Sequence, residues 1–140
     1  MIWRVLAVLA ACMIVWCGSA MAASQGAESA AVSATDRWLK VVDSGKYAES
    51  WNEAADYFKA AVRQEQWEQS LQAVRKSLGN MVSRKLKSKT YQTSLPGAPD
   101  GEYVVIQYQT SFENKKSAVE TVTTMKEKDG TWRVAGYFIK

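Results

Sequence analysis

The sequence predicts an α+β domain in which three N-terminal helices pack on one face of a four-stranded antiparallel meander sheet. Up to Gly79, apolar residues recur every three or four positions, which is the period of an amphipathic helix. Beyond Gly79 they alternate every second position, which is the period of a strand. Helices followed by strands are typical of α+β proteins, and short connections favour pairing between successive strands.

Residues 1–22 are predicted to form a secretory signal peptide. Arg4 supplies a positive charge, and residues 5–17 are apolar but too few for a stable membrane span. Small residues follow, so we expect cleavage between Ala22 and Ala23. We therefore expect a periplasmic or secreted protein with no transmembrane span after cleavage.

Two cysteines raise the alternative of a lipid anchor. Residues 9–12 (LAAC) look like a lipobox, but apolar residues rather than a polar tether follow Cys12. Bulky Trp16 precedes Cys17, which is unfavourable for lipid modification. We expect no lipid anchor at Cys12 or Cys17.

The composition excludes several kinds of site from the mature chain. Both cysteines precede the predicted cleavage site and the sequence has no histidine, so we expect no disulfide, no thiol nucleophile and no metal site. No cofactor-binding motif is present, and no cofactor is expected. Loss of Arg4 lowers the formal net charge from +4 to +3. This charge is too small and too dispersed to predict nucleic-acid binding.

Residues 23–33 are predicted to be a flexible start that runs into the first helix, and residues 34–140 a single domain. The first helical pattern begins near Ala30 and ends at Asp43-Ser44-Gly45. The second and third helices are predicted from two apolar stripes, which are Tyr47, Trp51, Ala54, Phe58, Ala61 and Val62, and then Trp67, Leu71, Val74 and Leu78.

Four strands are predicted over residues 83–95, 102–112, 117–126 and 131–139. Residues 96–101 (PGAPDG) lie between the first two strands. No glycine-rich run opens a helix there, and no Lys-Ser/Thr follows, so we interpret this segment as a corner rather than a phosphate-binding loop. Asp129-Gly130 predicts the hairpin before the last strand.

The aromatic residues have two interpretations. They could form a stacking surface for bases or sugars. The tryptophans at positions 38, 51 and 67 instead lie on the apolar stripes of their helices, and Trp132 lies near Val134 in the last strand. We therefore favour a core position for them, where each would remove about 150–250 Å² from water.

One cationic cluster, Arg84, Lys85, Lys87 and Lys89, lies in the first strand. Alternation would place the three lysines on one face, where they could bind an anionic partner. We favour the other interpretation, that they mark a solvent-facing edge strand and discourage sheet-to-sheet association.

Glu120 and Asp56 are the candidate catalytic carboxylates. Glu120 alternates with Ala118 and Val122 and is expected to point inward, where a lone charge would need a partner. Arg75 or Arg84 could supply that partner. The candidate ligand-binding set around it is Arg75, Arg84, Tyr103, Tyr108 and Glu120. A structural ion pair between the third helix and the sheet is the interpretation we favour over a catalytic pair.

The segments DRWLKVVDSGKYAESW, LPGAPDGEYVVIQYQTSF and DGTWRVAGYFIK together resemble the small secreted bacterial proteins of domain-of-unknown-function family 4019. The resemblance covers residues 34–140. The first and last segments are also similar to the wider cystatin-like and nuclear-transport-factor-like rolls. This resemblance implies a cystatin-like roll with a space between helices and sheet, used for catalysis in some members of the wider group and for protein contacts in others.

We expect a non-enzymatic module that binds an unidentified protein or small-molecule ligand and is a monomer or weak dimer. The absence of His, Cys and a nucleophile constellation supports this expectation. The alternative is a small hydrolase, isomerase or dehydratase that uses Glu120 or Asp56.

Overall fold

Helices precede strands along the chain, as the change of apolar period predicts. The structure is a computed structural model that describes the chain from residue 17 onward, with side chains from residue 21. The helices are α1 Cys17–Asp43, α2 Tyr47–Asn52, α3 Asp56–Ala61 and α4 Gln64–Leu78. The strands are β1 Met81–Gln92, β2 Tyr103–Phe112, β3 Lys115–Lys126 and β4 Trp132–Ile139.

Helix α1 begins earlier than the apolar pattern near Ala30 predicts, so residues 23–33, which we expected to be flexible, lie within it. The reason is that Ala27 and Ala31 are buried one turn apart and continue the face that carries Trp38. These small side chains add little to a hydrophobic pattern. Within the described chain, no helix combines the length and apolarity that a membrane span requires.

The predicted second helix is two short helices, α2 and α3, because the chain breaks at residues 53–55 to meet the sheet. The Ala55 N–H donates a hydrogen bond of 2.8 Å to the Val134 carbonyl of β4, and Ala54 and Ala55 are fully buried. The Trp51 indole N–H donates to the Val62 carbonyl at 2.7 Å, which holds the end of α3 against α2.

Helix α4 buries Trp67, Leu71 and Arg75, which are spaced four residues apart. Val74, which the sequence pattern places on the buried stripe, is exposed instead. Arg75 takes the inward position because its guanidinium pairs with Asp43 of α1 at 2.7 Å. The helix ends at Leu78 and is followed by Gly79, whose φ of +76° favours glycine.

The sheet has the order β1-β2-β3-β4 with antiparallel neighbours, which confirms the predicted meander. Helix α1 packs across all four strands, α3 packs on β4, and α4 packs against α2. The register pairs Tyr108 with Glu120 and Val122 with Tyr137 on the helix-covered face. Strand β1 is irregular at two places, between Met81 and Ser83 and between Leu86 and Ser88.

The PGAPDG segment forms the corner between β1 and β2. Gly97 has a φ of +77°, the backbone conformation for which glycine is preferred. The Tyr57 hydroxyl donates to the Gly97 carbonyl at 3.0 Å, and the Tyr103 hydroxyl donates to the Pro99 carbonyl at 2.5 Å. Side chains from α3 and β2 therefore fix this corner.

The space between helices and sheet is filled by aromatic side chains. Trp67 lies edge-on to Phe58, with ring centroids 4.9 Å apart, and Tyr137 lies edge-on to Trp38 at 5.3 Å. The Trp38 and Trp67 indole N–H groups donate to the carbonyl and the hydroxyl of Ser50, respectively. Trp38 and Trp67 therefore have the predicted core positions, whereas Trp51 and Trp132 are only partly buried.

Candidate functional site

Four charged side chains gather where α1 and α4 meet the sheet. They are named here the ion cluster and comprise Asp43, Arg75, Arg84 and Glu120. The end of α1 supplies Asp43, the last turn of α4 supplies Arg75, and the sheet supplies the other two. Arg84 pairs with Thr110 of β2 in the sheet register, which turns its side chain toward the helix-covered face.

Glu120 is fully buried and has hydrogen-bond donors on both carboxylate oxygens. Arg84 donates to Oε1 at 2.7 Å and to Oε2 at 3.2 Å, which is a two-point contact between guanidinium and carboxylate. The Thr110 hydroxyl donates to Oε1 at 2.5 Å, and the Tyr137 hydroxyl donates to Oε2. The buried charge is therefore compensated by one cation and two neutral donors.

Asp43 connects the two arginines. It accepts from Arg75 at 2.7 Å and from Arg84 at 2.7 and 3.0 Å. Burial by itself would raise the pKa of Asp43, but hydrogen bonds and charge attraction from Arg84 and Arg75 outweigh burial and hold the pKa below its ordinary value. Asp43 therefore remains ionised and links α1, α4 and β1.

The Arg75 guanidinium lies over the ring of Phe112, with 5.1 Å between its central carbon and the ring centroid. Its Nη1 atom is buried and has no hydrogen-bond partner among the described residues. The aromatic face supplies an electrostatic contact for this part of the cation.

Two tyrosines on the helix-covered face have raised pKa values and remain protonated. Burial raises the pKa of Tyr137, and the neighbouring Glu120 carboxylate raises it further. Burial also raises the pKa of Tyr108, whose hydroxyl donates to Asp36 of α1 at 2.7 Å. The Tyr108 phenol therefore donates a hydrogen bond from the sheet to α1, and the Tyr137 phenol donates one from β4 to β3.

The ion cluster is arranged for structural pairing more than for acid–base chemistry. A general acid or base must reach the proton of a bound substrate. Glu120 is inaccessible to solvent and both of its oxygens are occupied by donors. Among the described residues, no group of three or more His, Cys, Asp or Glu side chains could hold a metal ion.

A second feature is a cleft of about 290 Å³ between α1, the end of α2 and the start of β4, named here the helix–strand cleft. Its apolar wall includes Trp38, Trp132 and Val134. Charged residues at its rim come from α1, from the break after α2 and from β4, and are Arg37, Glu53 and Arg133. Aromatic surface beside a few polar groups is the usual character of a ligand site.

Two further clefts lie outside this region. One of about 490 Å³ is lined by polar residues at the start of α4, including Arg63 and Glu65. Another of about 350 Å³ lies between the ends of α1 and α4 and includes Asp43 and Arg75. Glu120 lines none of these three clefts.

The structure brings together some of the predicted site residues and separates others. Arg84, one of the two partners expected for Glu120, binds it directly, and Tyr108 is its register neighbour on β2. Tyr103 binds the Pro99 carbonyl at the β1–β2 corner instead. Asp56 is at the start of α3 with its side chain 83% exposed, and it pairs with Lys59 at 3.4 Å. Neither Tyr103 nor Asp56 contributes to the ion cluster.

The predicted cationic patch on β1 requires a correction. Arg84 is not part of an exposed patch, because its side chain is 11% exposed and it pairs with two carboxylates. The expectation that Lys85, Lys87 and Lys89 share one face is also wrong. Lys85 pairs with exposed Gln109, whereas Lys89 pairs with buried Ile106, because the irregularity at Lys87 shifts the alternation.

Sequence reasoning missed Asp43 of the ion cluster, the two hydroxyl donors Thr110 and Tyr137 that bind Glu120, and the charged residues of the helix–strand cleft. The sequence places Asp43 at the end of the first helix, but its contacts with Arg75 of α4 and Arg84 of β1 arise only from tertiary packing. Thr110 lies on the predicted inward face of β2, and Tyr137 alternates inward on β4, so their spacing could have indicated them. Arg37 and Arg133 are far apart in the sequence, and no local pattern indicates that they line the same cleft.

Residues 1–16 of the predicted signal peptide, which include Cys12, lie outside the described residues. Cys17 is the first residue of α1. Ala22 and Ala23, at the predicted cleavage site, are exposed on the same helix.

Together, the fold and these two features define a small α+β domain with helices on one face of an antiparallel meander and a cleft where α1 and the end of α2 meet the start of β4. The chain belongs to the family described as protein of unknown function, DUF4019, whose model matches residues 34–137.

No curated protein matches the chain. A solved structure from Catenulispora acidiphila is similar, with a TM-score of 0.51 and 13% sequence identity. The similarity covers 90% of this chain and 94% of that one. At this identity the comparison shows a shared fold alone, and the cystatin-like roll is compatible with this architecture.

Proposed function

We propose that this protein is an exported, non-enzymatic binding domain that holds a protein partner or a small ligand in the helix–strand cleft. The observation that carries the proposal is the cleft of about 290 Å³ with Trp132 in its wall. Trp132 is only partly buried, so its indole has surface left for a partner.

The state of the two candidate carboxylates supports binding over catalysis. Glu120 is fully buried and paired with Arg84 at 2.7 Å. Asp56 lies in water with its side chain 83% exposed, an environment that does not prepare a carboxylate for acid–base work. The sequence also has no histidine to replace them.

Export is the second part of the proposal and rests on the pattern of residues 1–22. Its test is independent of ligand binding. Cell fractionation followed by mass measurement of the purified protein should find a periplasmic or secreted chain that begins at Ala23. A cytoplasmic chain that retains residues 1–22 would contradict export.

Binding is tested by a thermal-shift screen of small molecules and peptides, with hits repeated on Trp132→Ala. Phe138→Ala is the matched control, because Phe138 is an aromatic residue of the same strand and is 56% exposed outside the cleft. Genuine ligands should raise the melting temperature of the wild type and of Phe138→Ala, but not of Trp132→Ala. Hits that bind all three proteins equally, or a screen without hits, would contradict the cleft as the binding site.

A further inference from the structure

The charged groups of the helix–strand cleft lack ion-pair partners among the described side chains, and the one hydrogen bond of these groups is a long one, from the Arg133 Nε–H to the Thr131 hydroxyl at 3.4 Å. Among the described side chains, neither Arg37 nor Arg133 forms an ion pair within 4.0 Å. The arginines of the ion cluster, in contrast, each contact a carboxylate at 2.7 Å. Two guanidinium groups at the rim of one cleft are therefore available to an external acceptor.

Glu53 is the one carboxylate among the lining residues, and it also has no ion-pair partner among the described side chains. Among the lining residues, two cations against one anion give a net positive charge; Asp129, outside the lining, also attracts Arg133. Because a cleft with low-dielectric walls concentrates the field of its charges, this excess favours an anion in the cleft more than it would on a flat surface.

The rest of the wall favours an apolar body next to that anion. Trp38 and Val134 are almost completely buried, and the partly buried Trp132 lies beside them in the lining. An aromatic or aliphatic group placed here would remove apolar surface from water on both sides. The amide of Asn52 adds a hydrogen-bonding group to the same lining, whereas the hydroxyl of Thr131 donates to Asp129 at 2.6 Å.

From this combination we propose that the helix–strand cleft binds an anionic group, a carboxylate or a phosphate, carried on an apolar or aromatic body. Arg37 and Arg133 hold the anion, and the indole of Trp132 contacts the body. Guanidinium groups suit this role because their planar donors match the oxygens of both anions. This inference rests on the proposed function of the cleft and specifies the chemistry of its ligand.

The first test compares three probes on the intact protein as purified from cells. They are 4-phenylbutyrate, phenyl phosphate and the neutral 4-phenylbutanamide, each titrated into ¹⁵N-labelled protein and followed by NMR shifts, including the Trp132 indole. We expect one or both anions to bind at least about tenfold more tightly than the amide, and salt to weaken the anions selectively. The anion that binds more tightly shows whether the cleft prefers a carboxylate or a phosphate in its ligand.

The second test changes the charges one at a time. Arg37→Gln and Arg133→Gln should each weaken anion binding about three- to tenfold and leave the amide unchanged. Glu53→Gln should strengthen anion binding about twofold or more, because it removes a repulsive charge. Lys40→Gln is the matched control, since Lys40 is an exposed cation of α1 that does not line the cleft. A purely structural role for these residues would not produce opposite effects of Arg and Glu replacement.

The outcomes separate this inference from the proposed function. If the amide shifts cleft resonances as tightly as the anions and the Arg variants bind normally, the anion proposal is overturned while the cleft remains a binding site. If no probe and no screened ligand perturbs the cleft, both proposals fail.

Discussion

Arg84 of β1 contacts both carboxylate oxygens of Glu120 on β3, across the intervening strand β2, at 2.7 and 3.2 Å. The contact passes beside Thr110 of β2, whose hydroxyl donates to the same carboxylate. Arg84 also binds Asp43 at the end of α1. One side chain therefore connects an edge strand, an inner strand and the first helix.

Glu120→Gln should destabilise the fold by about 3 kcal/mol, because it leaves Arg84 buried with only Asp43 as its charged partner. Arg84→Met should have a comparable effect, and the double variant should lose less than the sum, with a coupling of about 1–3 kcal/mol. Urea unfolding followed by tryptophan fluorescence measures all three. The exposed pair Asp56–Lys59 supplies the control cycle, where we expect a coupling below about 1 kcal/mol. Equal coupling in the two cycles would show that burial adds nothing to the Arg84–Glu120 contact.

Asp43 should make the protein sensitive to acid. Its pKa is held below its ordinary value of 3.8, so its stabilising contribution is complete above about pH 4. As the pH falls below 4 and passes the lowered pKa of the folded state, that contribution is lost. Asp43→Asn should be less stable than the wild type at pH 7, and the difference should narrow toward pH 2. A constant difference from pH 7 to pH 2 in chemical unfolding would mean that Asp43 stabilises the fold through packing rather than charge.

Thr35 of α1 should be replaceable by valine with a gain in stability. Its hydroxyl is buried and has no hydrogen-bond partner among the described residues. Valine has nearly the same shape and removes the unpaired group, so we expect a gain of about 1 kcal/mol and a rise in melting temperature of about 3–4 °C. Thr124→Val is the matched control, because the Thr124 hydroxyl is also buried but donates to the Val104 carbonyl at 3.0 Å. Thr124→Val should therefore lose stability. If both Thr35→Val and Thr124→Val gain stability, the unpaired hydroxyl does not explain the effect.

The three lysines of β1 should protect a sheet edge from association. Combined Lys85→Thr, Lys87→Thr and Lys89→Thr should promote self-association, because the substitutions remove charge from an exposed strand with free backbone groups. Light scattering after size-exclusion chromatography measures the effect. The corresponding triple change to Glu keeps charge on the edge and should leave the mass unchanged. If both triple variants keep the wild-type mass at millimolar concentration, edge protection does not depend on these charges.

The sequence was sufficient for the meander because β2 alternates along most of its length and short turns join β2 to β3 and β3 to β4. It was insufficient for β1, where irregular pairing near Lys87 moves later residues to the opposite face. It also did not show the break between α2 and α3. That break depends on a hydrogen bond between Ala55 and a strand far along the chain.

For the candidate site, the inward direction of Glu120 followed from strand alternation, and the cost of a lone buried charge predicted a pairing with Arg75 or Arg84. The structure pairs Glu120 with Arg84, and Arg75 with Asp43. The roles of Asp43 and of Arg133 did not follow from the sequence. Each lies at an element end, and such positions acquire their neighbours only when helices and sheet are placed together. Local periodicity therefore predicts which side chains are buried. It predicts less well which buried side chains contact each other.

The alternation of charge from Arg75 through Asp43 and Arg84 to Glu120 gives the ion cluster no net charge. The fields of neighbouring opposite charges cancel within a few ångströms outside such a row. An approaching molecule therefore senses only the cations and anions of the surface. Ionic strength should accordingly change the association rate and the affinity of the protein for its partners. The contribution of the ion cluster to the free energy of unfolding should depend little on salt.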